Sequence, residues 1–457
     1  MSIIVLPPGS TGADLQNAID NADFGGTIEI SSNITLTGSV AIPTNSSLTI
    51  QSSTGNNWVL AQAISNTRHF MAGGNLTLQN ITLDGGAISG GVQMNGGNLT
   101  IDAGTIIRHC FATNGGGVSI NTGGSFTMLG GEINGNISNT DGGGVFLHVG
   151  SNFTMLGGKI SENQAVGGGG ILVNWESIFT MNDGEISGNE ADTGGGVFIT
   201  GNSTIIMHGG EISNNKAGAH IGGGVSGGVL VVGGSTFIMD GGKINNNMAS
   251  NGGGIYAWSV VDISGNAEIV NNTATNNSHG LGGGIFTNNF NLLTVTGPLV
   301  RFANNKADFA TNRESANDAV YATHILNMES NWTVPFQQGY NNFDINQLGP
   351  RVYIVAYEAN GGVGNHIDIV QDGTEYTILT PEAASISRVD YTFIGWNTQQ
   401  DGSGTSYMPE EIIIITGNLT LYAQWEAARE EINCCLIILL FLVMKCRPKK
   451  KCCCKNC

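Results

Sequence analysis

The sequence has few charges, few prolines and, over most of its length, a single cysteine. Charged residues make up 11% of the 457 residues, and 9 residues are proline. Cys110 is the one cysteine before Cys434, which excludes a disulfide framework and a cysteine-based metal site in residues 1–433. A disordered glycine-rich polymer is also disfavoured, because β-branched and aliphatic residues are plentiful.

Basic residues are scarce except near the C-terminus. The net charge is −18, and six of the 17 Lys and Arg residues lie in the last 13 positions. Residues 1–432 therefore carry 35 acids against 11 bases, a net charge of −24. This balance predicts no nucleic-acid partner and disfavours an anionic membrane as a partner of the main body.

Glycine is abundant and belongs to an internal repeat. The 70 glycines follow no Gly-X-Y period, which excludes collagen. The segment FTMLGGEINGN begins at Phe126 and returns with variations from Phe153, Phe179, Ile205 and Phe237. The methionines of these segments are 27, 26, 26 and 32 residues apart: Met128, Met155, Met181, Met207 and Met239.

A block of glycines precedes a short apolar run in each unit. The blocks are Gly115–Gly117, Gly142–Gly144, Gly168–Gly170, Gly194–Gly196, Gly222–Gly224, Gly252–Gly254 and Gly282–Gly284. The 32-residue interval indicates a loop insertion, which we place at Ile221–Val225. After this insertion Gly227–Gly228 aligns better with the other blocks than Gly222–Gly224 does.

The repeat predicts an all-β fold. Each unit holds three apolar runs that are too short for helices and too frequent for a βαβ pattern. Three short strands in about 26 residues are typical of one coil of a right-handed parallel β-helix, a solenoid whose strands pair with their equivalents in the next coil. The polar turns between the runs contain Gly, Asn, Asp and Ser.

Stacked coils place equivalent residues in columns along the axis, and four columns are predicted. The outward charged column is Glu132, Lys159, Glu185, Glu211, Lys243 and Glu268. The inward apolar column is Ile133, Ile160, Ile186, Ile212, Ile244 and Ile269. An asparagine ladder at a turn, where amides bond one another and tolerate left-handed geometry, is Asn136, Asn163, Asn189, Asn215, Asn247, Asn272 and Asn305. A tight corner is Ala165, Ala191, Ala217, Ala249, Ala274 and Ala307.

Four segments follow from these patterns. Residues 1–25 form an N-terminal capping region, since Leu15, Ala18, Ile19 and Ala22 share one helical face after an N-cap at Ser10 or Thr11. The other segments are the β-helix with its C-terminal cap and linker at 26–350, a separate module at 351–426, and an apolar, basic and Cys-rich tail at 427–457.

The repeat resembles known bacterial β-helix proteins. Alternation of GGGV or GGGI with ISGNEA (Ile186–Ala191) resembles the Gly-Gly-Ala-Ile and Phe-x-x-Asn repeats of polymorphic outer-membrane proteins, whose wider kin are pectate-lyase-like proteins and adhesins. The resemblance covers about residues 20–310. This sequence departs from it in the third glycine and in Ile or Val for Phe, except at Phe302–Asn305.

The segment 351–426 resembles the Listeria–Bacteroides repeat, the internalin B-type repeat module. The residues that carry the resemblance are Gly395-Trp396, Asp401-Gly402 and Tyr422–Trp425, which recur in the family's order. The resemblance implies a small β-grasp-like module of surface-displayed bacterial proteins. The residues themselves favour alternating strands separated by Asp-Gly turns, and Trp396 and Trp425 are interpreted as packing residues.

The two ends of the sequence bear on export and membrane attachment. The start, MSIIVLPPGS, is no secretory signal peptide, and the hypothesis is that the native N-terminus is missing. Near the other end, the 11 apolar residues of Cys434–Met444 reach about 16 Å as a helix, against about 30 Å of hydrocarbon. The tail is interpreted as a membrane anchor or stop-transfer segment, an out-of-frame sequence, or a metal site.

Two functions fit these features. The first is a non-enzymatic cell-surface, outer-membrane or secreted protein, adhesin-like, whose stiff repeat rod binds a glycan or a host or matrix protein. The second is a carbohydrate-active β-helix enzyme, a polysaccharide lyase or glycoside hydrolase, whose site lies in the irregular coils or the insertion. The first is favoured because the acids are spaced about one per coil and Arg is absent between Arg108 and Arg301. His148 and His208 are interpreted as strand-edge residues, and no catalytic, cofactor-binding or metal-binding residue is predicted.

Overall fold

The chain forms two compact units, Met1–Gly349 and Pro350–Cys457. The structure is a computed structural model, and it describes residues 2–218, 224–275, 280–287, 292–296, 299–307, 345–347, 352–371 and 373–428. The first unit is a parallel β-helix and the second is a small β-sheet module, so the predicted fold class is confirmed. The four segment boundaries stay predictions.

Sheets 1 and 2 hold the first two strands of each coil, and all their neighbours are parallel. Sheet 1 has 12 described strands: Ile3–Leu6, Gly26–Ile30, Ser47–Ser52, Asn75–Gln79, Asn98–Ile101, Ser125–Met128, Asn152–Met155, Ile178–Met181, Thr204–Met207, Thr236–Met239, Val260–Ile263 and Leu293–Val295. Sheet 2 has 11 described strands: Ile34–Leu36, Trp58–Gln62, Ile81–Asp84, Ile106–Arg108, Glu132–Asn134, Lys159–Ser161, Glu185–Ser187, Glu211–Ser213, Lys243–Asn245, Glu268–Val270 and Arg301–Ala303.

Sheets 3 and 4 complete the coil. Sheet 3 has 8 described strands: Phe111–Asn114, Ile137–Asp141, Gln164–Gly167, Glu190–Thr193, Lys216–Ala217, Met248–Ala249, Thr273–Ala274 and Lys306–Ala307. Sheet 4 follows the glycine blocks and has 11 described strands: Val40–Ile42, Arg68–Ala72, Gly90–Asn95, Val118–Asn121, Val145–Leu147, Ile171–Val173, Val197–Ile199, Val229–Val231, Ile255–Ala257, Ile285–Thr287 and Ile345–Gln347.

Sheet 3 corrects the prediction of three strands per coil. From Phe111 onward each coil has a fourth strand between the asparagine turn and the glycine block. These strands are two to five residues long, and their sequences, such as EADT and KA, are short or polar. No apolar run marked them, because only one side chain of such a strand faces the interior.

The predicted columns are in register. The charged column pairs residue by residue from Glu132 to Glu268, and Lys159 Nζ lies 3.1 Å from Glu185 Oε1. The isoleucine column is fully buried in the core. Next to it in the core, the rings of Phe126, Phe153 and Phe179 stack with centroid distances of 4.3 and 4.8 Å.

The asparagine ladder is continuous and buried. The Nδ2 group of each residue donates to the Oδ1 atom of the next, at 2.9 to 3.0 Å, from Asn136 to Asn305. The expected left-handed conformation is found one residue earlier, at positions such as Glu162 (φ 57°) and Asn214 (φ 57°). The prediction of a left-handed conformation at the ladder residues was therefore wrong. The ladder asparagines form the hydrogen bonds with their side chains, and the residue before each of them adopts the left-handed turn conformation.

A second ladder, made of serines, was not predicted. The main-chain N–H groups of Ser151, Ser177 and Ser203 donate to the Oγ atom of the serine one coil later, at 3.1 to 3.2 Å. These serines are buried at the turn before sheet 1. The sequence carried a signal, since each serine stands two residues before the Phe or Ile of the repeated segment.

The glycine blocks are explained by close approach of adjacent coils. Gly168 has φ 66°, which favours glycine. A Cβ atom on Gly169 would lie 2.5 Å from the Glu190 carbonyl oxygen, and one on Gly170 would lie 2.6 Å from that of Gly196. The third position therefore excludes the alanine of the outer-membrane protein repeat.

The insertion leaves the register intact. Val197 pairs with Val229, so Gly227–Gly228 does occupy the block position, as predicted. Ser226 takes the place of the first glycine and adopts its left-handed conformation, with φ 59°. Residues 221–223 of the predicted insertion lie outside the described residues.

The N-terminal region caps the first coil. A helix spans Gly12–Asp20, Thr11 is its N-cap, and Leu15, Ala18 and Ile19 are buried, as the amphipathic pattern predicts. The region also contributes the strand Ile3–Leu6, which pairs with Gly26–Ile30 and was not predicted.

The second unit is built on a mixed sheet. Its five strands, in spatial order, are Asn365–Gln371, Val352–Glu358, Leu419–Ala427, Tyr391–Asn397 and Ser406–Tyr407. A separate two-stranded sheet joins Glu375–Thr377 to Ile412–Ile414. Trp396 is fully buried, and its Nε1 group donates to the Leu379 carbonyl at 2.8 Å.

Residues 429–457 lie outside the described residues, and with them the interpretations of the tail. Within the described part of the chain, no helix has the length and apolar character needed to span a membrane.

Candidate functional site

A cleft of about 540 Å³ lies on the outer face of the β-helix, between sheets 3 and 4. Its walls come from the first strand of sheet 3, Phe111–Asn114, and from the outward side chains of sheet 4. The described lining residues are Ser39, Asn66, Thr67, Arg68, Met71, Gln93, Phe111, Ala112, Thr113, Asn114, Ser119, Asn121, Asn139 and Phe146. None of these described lining residues is acidic, although the chain as a whole is.

One outward column of sheet 4 explains where the cleft ends. The column is in register from Met71 through Gln93, Ser119 and Phe146. From Phe146 to Phe286 the column is apolar, and the residues between them are Leu172, Phe198, Leu230 and Tyr256. In this later part, Leu230, Tyr256 and Phe286 form a small outer cluster with side chains such as Val225 and Leu281. Apolar side chains thus fill the space between sheets 3 and 4 beyond Phe146, and the cleft is the part that stays open before Phe146.

The floor of the cleft is a hydrogen-bonded set of polar side chains. Ser119 Oγ donates to Asn121 Oδ1 at 3.3 Å, and Asn121 Nδ2 donates to Asn95 Oδ1 at 3.3 Å. Gln93 Nε2 donates to the same Asn95 oxygen at 3.0 Å. These bonds orient the amide and hydroxyl groups, and Phe146 supplies an apolar end wall. The combination of oriented polar groups and an apolar surface is typical of a binding site for a small polar ligand.

Arg68 is the one cation among the described lining residues. Its side chain crosses Gly90 in the next coil, where a Cβ atom would lie 3.1 Å from the guanidinium. Nη1 donates to the carbonyl oxygens of Gly115, at 2.8 Å, and Val92, at 3.5 Å, and Nη2 donates to that of Asn114. Burial lowers the pKa of Arg68 to about 10, so the group remains charged at neutral pH.

A second cluster lies at the corner after sheet 2, in the irregular early coils. Arg108 Nε donates to Asp84 Oδ2 at 2.9 Å, and His109 Nδ1 lies 3.4 Å from Asp84 Oδ1. Burial alone would raise the pKa of Asp84, but the Gly86 N–H group and Arg108 together lower it. Here an acid, a histidine and an arginine meet in coils for which no site residue is predicted from the sequence.

The cleft at Arg68 and the cluster at Asp84 were not predicted from the sequence, for the same reason. Asp84 and Arg108 are 24 residues apart, and Arg68 and Gly115 are 47 apart. Only the exact register of the early coils brings them together, and these coils do not follow the repeat. His208, interpreted as a strand-edge residue, bonds Asp240 at 2.8 Å in an exposed position.

Within the described ranges, no three His, Cys, Asp or Glu side chains are placed to hold a metal ion. The absence of a metal site therefore stays a prediction. Cys110 is a free, fully buried cysteine, and burial raises the pKa of its thiol to about 12, so it carries no reactive thiolate.

Comparison with known protein families finds a match in the second unit. Residues 353–424 match the model of the Listeria-Bacteroides repeat domain, which confirms the resemblance based on Gly395-Trp396, Asp401-Gly402 and Tyr422–Trp425. No solved structure matches the chain. The resemblance of the β-helix to pectate-lyase-like proteins is thus not directly shown.

Two relatives come from Evansella cellulosilytica. A "Putative Gly-rich membrane protein" is 36% identical over 87 residues, which are 19% of this chain and 8% of the relative. A "Putative membrane protein" is 30% identical over 107 residues, which are 23% of this chain and 15% of the relative. The matches span only a small part of either relative's length.

Proposed function

We propose that this chain is a non-enzymatic, adhesin-like bacterial protein that is displayed at the cell surface and binds a glycan or a host or matrix protein through its β-helix. The observation that carries the proposal is the cleft beside sheet 4. It is open, and its described lining includes oriented amides and hydroxyls and no acidic residue. Carboxylate pairs, which a hydrolase would use, are missing from its described lining.

Other observations support display at a surface. Both relatives are named as membrane proteins, and the repeat domain at 353–424 resembles a module of surface proteins. The β-helix repeats similar outward columns coil after coil, which favours multivalent contact with an extended ligand.

A carbohydrate-active enzyme is the second candidate, and one cluster favours it. Asp84, Arg108 and His109 combine a carboxylate, a guanidinium and an imidazole in the irregular coils. Such a combination suits acid–base chemistry on a saccharide. The ion pair to Arg108 also has a structural explanation, because Arg108 and Asp84 are paired in register in adjacent strands.

Binding and turnover are tested together on the purified chain. Arrayed glycans and immobilised matrix proteins measure binding, and release of reducing ends or unsaturated products from the same glycans measures turnover. The proposal expects saturable binding of at least one ligand and no product. Product formation that Asp84→Asn abolishes and Asp23→Asn leaves unchanged would overturn the proposal in favour of the enzyme.

A further inference from the structure

Only some of the N–H donors of the Arg68 guanidinium form hydrogen bonds within the protein. An arginine has five N–H donors. Three of the donors of Arg68 reach carbonyl oxygens, two from Nη1 and one from Nη2. The Nε–H group and one Nη2 hydrogen have no acceptor among the described residues, and the Nε and Nη2 atoms lie on one edge of the planar group.

No carboxylate neutralises this charge. Among the described residues, Asp and Glu side chains form ion pairs with Arg108, Lys159, Arg301 and histidines, and none with Arg68. The exposed arginine Arg301 pairs with Glu268 at 3.5 Å. Although the chain has 35 acids and 17 bases, this partly buried guanidinium is held by carbonyl oxygens.

The neighbours of Arg68 indicate what a ligand would look like. Gln93, Asn121 and Asn139 offer amides, Ser119 offers a hydroxyl, and Phe146 and Met71 offer apolar contacts. Amides and hydroxyls both donate and accept, as sugar hydroxyls require. The free Nε and Nη2 edge is the fork that binds a carboxylate through two parallel hydrogen bonds.

We infer that the cleft binds a carboxylate-bearing saccharide, a uronic-acid unit, with its carboxylate on the free edge of Arg68. This inference rests on the proposed function and names the ligand class of that site. The guanidinium then has two roles, since the same group ties the edge strand of sheet 3 to sheet 4 through the carbonyl oxygens of Asn114 and Gly115.

The test compares tetragalacturonate with its methyl ester on the full chain, by calorimetric titration in EDTA to prevent calcium bridging. The ester keeps the sugar backbone and removes the charge. The inference expects the acid to bind about ten- to a hundredfold more tightly than the ester. Equal affinities would overturn it.

Two variants locate the binding. Arg68→Gln should lose the preference for the acid, whereas the control Arg301→Gln should keep it. Because Arg68→Gln also removes bonds to sheet 3, Gln93→Glu provides a second test that leaves Arg68 in place. The added carboxylate should weaken binding of the acid at least tenfold more than binding of the ester, with Gln164→Glu, on the exposed face of sheet 3, as its control. Unchanged acid binding in Gln93→Glu would contradict the inference.

Two further outcomes are informative. Tetraglutamate that binds as tightly as tetragalacturonate, with the same dependence on Arg68, would exclude the saccharide class. If neither tetrasaccharide binds, the inference is overturned. The proposed surface display is not, because antibody labelling of intact cells tests it separately.

Discussion

The side chain of Asn163 and the main chain of Asn163 both donate to one atom, the Oδ1 of Asn189, from 2.9 and 3.0 Å. Asn189 Nδ2 in turn donates to the Ile160 carbonyl at 3.0 Å and to Asn215 Oδ1 at 2.9 Å. Each ladder amide thus satisfies two main-chain groups and joins three coils. The ladder is a structural feature of the fold, and it leaves the outer face free for binding.

Asn189→Ala should destabilise the β-helix by about 2–4 kcal/mol, because buried donors and acceptors in both neighbouring coils lose their partners. Urea unfolding followed by circular dichroism measures the change. Asn152→Ala, at an exposed position of sheet 1, is the matched control and should cost less than about 0.5 kcal/mol. Equal losses for the two variants would contradict the role assigned to the ladder.

Ile186→Asp should cost several kcal/mol, since it buries a charge between two isoleucines of the fully buried column. Glu211→Gln, one coil later in the outward column, should change the free energy of unfolding by less than about 0.5 kcal/mol. Thermal unfolding of the two variants, side by side, checks the register. A large loss in Glu211→Gln would show that this column does not face solvent.

Gly169→Ala should prevent stable folding of the central coils, because the added Cβ would lie 2.5 Å from the Glu190 carbonyl oxygen, which is a main-chain atom and does not move freely. Gly38→Ala is the control, since nothing lies within 4 Å of its Cβ position. Soluble yield and the unfolding midpoint report the difference. A Gly169→Ala protein as stable as Gly38→Ala would exclude the close approach of these coils.

Burial raises the pKa of Asp141, so the folded state favours its protonated form. The carboxyl therefore reduces stability as the pH rises from the ordinary pKa of an aspartate through the raised value. Asp141→Asn should stabilise the protein at pH 7 and have a smaller effect at pH 3. Urea unfolding at both pH values measures this, with Asp23→Asn as the exposed control. Equal effects of Asp141→Asn at the two pH values would contradict the pKa direction.

Residues 351–426 should fold alone. Their described residues have a core of their own, which includes Tyr357, Trp396 and Leu421. The amide spectrum of the isolated segment should be dispersed, as for a folded β-sheet protein. A collapsed spectrum would show that the module depends on the β-helix and that the predicted boundary is wrong.

The regular coils were predictable because a stacked repeat turns sequence spacing directly into contacts. Once the methionines are aligned, Ile160, Ile186 and Ile212 must share a column, and the asparagines must meet. Even the insertion could be placed, since Gly228 and Val229 restore the pattern after it.

The candidate site could not be predicted, because it depends on coils that break the repeat. Sheet 3 begins only at Phe111, and its first strand creates the wall of the cleft. Arg68 reaches that wall across Gly90, a contact that no spacing rule anticipates. Asp84 and Arg108 meet through the register of strands that share no motif.

Surface display is tested most directly by labelling intact cells of the organism that carries this gene with an antibody against residues 115–300. The account predicts labelling without permeabilisation, and loss of that label after protease treatment of the intact cells. Labelling that appears only after permeabilisation would contradict the proposal that this β-helix is presented to ligands outside the cell.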